Sequence, residues 1–151
     1  MSGTTRTEPT ERLSGADIVL VAAGGAVGTG LRFGLTLSVP PVHGLPMTIL
    51  IVNVVGALVL GLLLESLAEL GPDHALSHRL RLGVGTGVLG GFTTYSTLAV
   101  DGVTLALTSP AVALAYGLGT VILGAVASIT GIAAARSLIR PALRSRLVPP
   151  C

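Results

Sequence analysis

The stretch Gly90-Gly91-Phe92-Thr93-Thr94-Tyr95-Ser96-Thr97-Leu98 puts four aliphatic hydroxyls, two glycines and two aromatic rings into nine positions of an apolar chain. Glycine costs about 1 kcal/mol against alanine within a helix, so two adjacent glycines followed by paired threonines favour a break. Carbonyls released from helical bonding suit a hard cation such as Na+. Hydroxyls and the electropositive edges of aromatic rings suit an anion instead.

The elements that position this stretch belong to a membrane. Of the 151 residues, 50% are hydrophobic and 11% charged, with mean hydropathy +0.85, whereas ordinary soluble domains are roughly 25% charged. Residues 1–15 are polar, read as a disordered tail, and predict no cleavable signal peptide. The first span is expected from about Ala16 to Val39, and the second from Met47 to Leu70, apolar to Leu64 and amphipathic from Glu65, with the proline-rich stretch from Pro40 to Pro46 between them. The third runs from about Leu80 to Leu107 and contains the break. The fourth, alanine-rich, runs from about Ala111 to Ile139, and residues 140–151 form an Arg-rich tail. Residues 16–139 thus make one four-span, all-α unit. Its single cysteine, Cys151, excludes an internal disulfide framework.

Polar groups in hydrocarbon need partners. Arg32, toward the outer end of the first span, either snorkels to the headgroups or stands as a fixed charge in a water-filled vestibule that concentrates anions. Gly24 and Gly28 form a GxxxG pair, a sign of close helix packing. Asn53 sits among aliphatic residues, either joining helices through its amide or donating to a passing anion. Tyr116, Thr120 and Gly124 follow i, i+4, i+8 spacing, which makes either a polar track or a packing face with back-bonded Thr. His74 and His78 read as a solvated helix start rather than a metal site.

With four spans, Arg6, Arg12, Arg79, Arg81, Arg136, Arg140, Arg144 and Arg146 fall on one side, and only Arg32 points to the other. The positive-inside rule then places both termini in the cytoplasm of a plasma-membrane protein.

Together "GGAVGTGLRF", "VNVVGALVLG" and above all "GVLGGFTTYSTLAVD" resemble the Fluc/CrcB family of small fluoride channels, across roughly residues 16–139. The resemblance implies an antiparallel dimer of four-helix subunits, with two fluoride paths and a structural, untransported Na+ at the interface. It implies backbone carbonyls of Gly90 and Thr93 as Na+ ligands. Asn53, Tyr95, Ser96, Thr97, Tyr116 and Thr120 would line the fluoride path, with Arg32 as the vestibule charge. Export would be passive: fluoride leaves a negative interior, and HF entering from an acidic exterior dissociates inside. Besides fluoride, the expected partners are membrane lipid and a second subunit; no nucleic acid is expected.

This chain departs from the family pattern. Tyr95 and Leu98 stand where similar proteins place Phe, Ile49 where they often have Thr, and Gly124 where a hydroxyl is usual. Each change removes a polar or electropositive group from the expected route. A subunit that inserts in both orientations should carry little Arg bias, so the asymmetry predicts pairing with an oppositely oriented homologue. The alternative function is a non-conducting assembly subunit of such a heterodimer. A small secondary transporter is a third reading, but Arg32 and Asp101 both sit near span ends. Nothing resembles a nucleotide site or an enzyme's catalytic centre.

Overall fold

The computed structural model describes residues 14–42, 44–70 and 75–147, which are predominantly helical and contain no strand. Arg6, Arg12, His43, His74 and Cys151 lie outside the described residues, as do the side chains of Arg140, Arg144 and Arg146. Helix α1 (Gly15–Ser38) opens on a capping box, in which Ser14 Oγ accepts from the Asp17 amide and the Asp17 carboxylate accepts from the Ser14 amide. Ser14 and Gly15, at the end of the expected tail, therefore already belong to the helix start. The connection to α2 (Met47–Leu70) folds back on itself through paired Val42 and Leu45 backbone bonds, with Gly44 in the left-handed region at φ 78°.

Beyond α2 come α3 (Ala75–Leu80), a π-helical stretch over Arg81–Leu89, the single turn α4 (Gly90–Phe92), and α5 (Ser96–Thr108). Thr86 Oγ1 donates to the carbonyl five residues back, Arg81 O, at 3.4 Å, in step with the wide π turn. Pro110 then starts α6 (Pro110–Leu147), which continues well into the expected Arg-rich tail. Proline suits that first position because its missing N–H would have no helical partner there. Among the described residues three helices are long and apolar enough to cross a membrane: Gly15–Ser38, Met47–Ala68 and Pro110–Ile139.

Glycines set the packing. Helix α1 lies against the π-helical stretch, and a Cβ at Gly24 would strike the Gly83 carbonyl oxygen and come within 3.1 Å of Gly87 Cα. Helices α2 and α6 cross in the same way, with Gly61 over the Ser128 carbonyl and Gly131 over the Leu58 carbonyl. Such close backbone approach supplies the dispersion contacts that hold helices together where lipid removes the hydrophobic drive. An ion pair adds to the second crossing, with Arg136 Nε and Nη2 donating to Glu65 at 2.6 and 3.4 Å. Gly24→Val is expected to cost about 3 kcal/mol, because the groups it meets are backbone and cannot move aside. Thermal unfolding in detergent would register this as a lowered midpoint, whereas Gly30→Ala, which faces open space, should not lower it and gains helix propensity.

Candidate functional site

Between α4 and α5 the backbone leaves the helix at Thr93, with φ −74° and ψ 154°, and regains it at Ser96. Asn53 on α2 holds the interruption as a second peptide group would. Its Nδ2 donates to Thr94 O at 3.0 Å, and its Oδ1 accepts from the Thr94 amide at 2.8 Å. Thr94 Oγ1 in turn accepts from the Thr97 amide at 3.2 Å, capping the start of α5. On the other side of the break, the Thr93 amide and hydroxyl both donate to Leu89 O at 2.9 Å.

These side chains determine which carbonyls are left over. In an uninterrupted helix Gly90 O would accept from the Thr94 amide, and Thr93 O from the Thr97 amide. Asn53 Oδ1 and Thr94 Oγ1 hold those two amides instead, which releases both carbonyls from helical bonding. Gly91 O is occupied, accepting from Thr29 Oγ1 at 3.3 Å and from Arg32 Nε at 3.4 Å. Arg32 Nη1 continues to Thr97 Oγ1 at 3.2 Å. One half-buried guanidinium from α1 thus ties the end of α4 to the start of α5, where the sequence suggested a snorkelling or vestibule charge.

An open groove of about 410 Å³ runs beside the break. Asn53, Gly90, Thr93 and Thr94 line it near the interruption, and Thr120 and Gly124 line it from α6. Tyr95 stands at its edge with 81% of its surface exposed, and Ser96 is exposed beside it. Tyr116 is placed differently from Thr120. It is buried and is not part of the groove lining; its hydroxyl donates to Pro46 O at 3.0 Å, pinning the first connection to α6. Thr120 donates back to Tyr116 O at 2.8 Å, the local bond that competes with a track of outward donors. Tyr116→Phe is therefore expected to cost about 1 kcal/mol of stability through one lost hydrogen bond and to change ion flux less than twofold, as measured by unfolding and by efflux.

Two of the departures from the family pattern meet in space. Ile49, Leu98 and Tyr116 form one buried apolar cluster, with Leu50 and Leu105 packed on it. The neighbouring hydroxyl, Thr48, is buried and turned away to Val39 O at 3.2 Å. Sequence reasoning missed the capping part of Thr94 and the contribution of Thr29. A signal existed for the first, since Thr94 stands three residues before Thr97, the spacing of an N-cap contact; none existed for the second.

A bundle of long apolar helices, with a side-chain-stabilised break opening on a mainly apolar groove that carries a few polar groups, defines a multi-pass membrane protein. The chain belongs to the CrcB family, matching the family described as CrcB-like protein, Camphor Resistance (CrcB), over residues 19–132. It is 46% identical over 122 residues to fluoride-specific ion channel FluC 2 of Leifsonia xyli subsp. xyli, covering 80% of this chain and 84% of that one. It is 40% identical over 122 residues to fluoride-specific ion channel FluC 1 of Cutibacterium acnes, covering 80% and 85%. The FluC of Paracoccus denitrificans, also named a fluoride-specific ion channel, is 41% identical over 120 residues, covering 78% and 93%.

Proposed function

We propose that this chain is a subunit of a fluoride channel, with four spans of which the third, residues 75–108, is broken at residues 93–95. The observation that carries this reading is the pairing of two released carbonyls with a groove bearing amide and hydroxyl groups. The names of the relatives support fluoride as the permeant ion. Fluoride is small and strongly hydrated, so a selective path must replace its water with short-range donors in a narrow space. Asn53 keeps a second Nδ2 hydrogen beyond the one given to Thr94, and the hydroxyls of Tyr95, Ser96 and Thr97 can rotate toward an ion, as can those of Thr94 and Thr120 once they release Thr97 Oγ1 and Tyr116 O. Flux is passive and runs outward from a negative interior, which relieves fluoride toxicity without ATP.

The donor set at the break fits Na+. Gly90 O and Thr93 O are neutral hard oxygens whose helical partners are held elsewhere, and no rearrangement of α4 or α5 is required to free them. Gly90 O and Thr93 O would hold the ion, which would supply a fixed positive charge to the dipoles of these carbonyls. Asn53 and Arg32 keep the carbonyls released by holding the two sides of the break.

The open groove and exposed Tyr95 favour a second, antiparallel subunit that closes the path. The Arg distribution, eight to one side, favours termini in the cytoplasm and a distinct partner of opposite orientation; the numbering of relatives as FluC 1 and FluC 2 is in keeping with paired chains. The apolar cluster of Ile49, Leu98 and Tyr116 favours a second reading, in which this chain assembles a heterodimer without conducting along its own face. Expression in a fluoride-sensitive bacterium separates the cases. Rescue by this chain alone marks a self-sufficient homodimer, and rescue only with an oppositely biased homologue marks the heterodimer. Failure of both pairings, with membrane insertion verified, contradicts the proposal.

A further inference from the structure

A second groove, of about 390 Å³, lies between α1 and the third helical segment, apart from the break. Leu20 and Val27 on α1 and Val84 and Val88 opposite form its walls. Gly24 and Gly83 bring the two backbones into contact along it. Among its lining residues the one charged side chain is Arg79, which is exposed and followed two residues later by exposed Arg81. Arg79 lies at the end of the groove nearest the start of α1, where its neighbour His78 meets Asp17 at 3.4 Å.

The geometry points to a binding site for one anionic phospholipid, with an acyl chain in the groove and the headgroup phosphate on Arg79. An apolar slot open to the bilayer takes a hydrocarbon chain, and a guanidinium fork matches phosphate oxygens. Basic side chains at the membrane surface attract anionic lipid, and basic pockets between spans hold its headgroups. A second copy of this chain is a poorer occupant. Among the described acidic side chains, Asp17 is engaged by Ser14 and His78, Glu65 by Arg136, and Asp101 has a buried carboxylate oxygen. None of these is presented to meet an arginine on another copy.

The site is independent of fluoride conduction and is tested by lipid retention. The full-length protein, purified in mild detergent with equimolar phosphatidylglycerol and phosphatidylcholine of matched chains, is examined by native mass spectrometry. We expect phosphatidylglycerol to be retained at least fivefold over phosphatidylcholine. Arg79→Gln should remove that preference, and Ala23→Phe, which fills the groove but spares Arg79, should remove retention of both lipids. Soluble glycerol phosphate should not compete. Equal retention of the two lipids, an unchanged preference in Arg79→Gln, competition by glycerol phosphate, or a second protein copy in place of lipid would each overturn the assignment. Should Ala23→Phe fail to fold, the Arg79→Gln and competition results decide alone.

Discussion

Asn53→Ala is expected to reduce fluoride efflux by about two orders of magnitude and to lower stability by about 2–6 kcal/mol. The variant strips the Thr94 amide and carbonyl of their partners at membrane depth, and each orphaned buried group costs about 1–3 kcal/mol. The Thr94 amide is then free to bond Gly90 O, the carbonyl it would bond in a regular helix. Closing that bond removes one of the two released oxygens and narrows the groove. If about 3 kcal/mol of the loss falls on the conducting geometry, flux drops roughly 100-fold. Asn53→Asp retains an acceptor for the Thr94 amide but cannot donate to Thr94 O, and it places a negative charge beside the proposed anion path. It is expected to fold better than Asn53→Ala and to conduct no better. Efflux and thermal unfolding measured on the same preparations check both variants.

The second large effect concerns Arg32. A clamp and a vestibule charge give opposite results for the conservative change. Lysine keeps the charge but has no planar fork with which to reach Gly91 O and Thr97 Oγ1 together. Arg32→Lys and Arg32→Gln should therefore both lose about tenfold or more in efflux, since a hydrogen bond to a charged group is worth about 1.5–3 kcal/mol. The deficit should persist as salt is raised, because a contact across half-buried groups is weakly screened. A vestibule charge predicts instead that Arg32→Lys conducts normally and that the deficit of Arg32→Gln fades in high salt.

The long apolar helices were legible because hydropathy and proline placement respond to the bilayer directly. The second helix, Met47–Leu70, keeps the length read for it, and its amphipathic end after Leu64 stays helical with Glu65 held by Arg136. The polar residues were legible as residues needing partners, but not as to which partners. Spacing put Tyr116 and Thr120 near one face, yet a hydroxyl proton goes to the nearest carbonyl, and the carbonyls of Pro46 and Tyr116 are distant facts of packing. Arg32 is similar, since its reach to α4 and α5 depends on Gly28 and Gly91 letting α1 approach. The cluster of Ile49, Leu98 and Tyr116 joins residues far apart in the chain, and Ile49 and Leu98 looked like separate losses until the fold brought them together. The π-helical register over Arg81–Leu89 left no periodic trace, because the glycines there carry no side chains to mark a face.

Fluoride efflux from liposomes loaded with fluoride and containing this chain, alone or with an oppositely biased homologue, triggered by a valinomycin K+ shunt and followed with a fluoride electrode, tests the central claim most directly. Rapid release of fluoride, with chloride retained under the same gradient, is the predicted result. Retention of fluoride by vesicles shown to contain folded protein, or equal release of chloride, would contradict it.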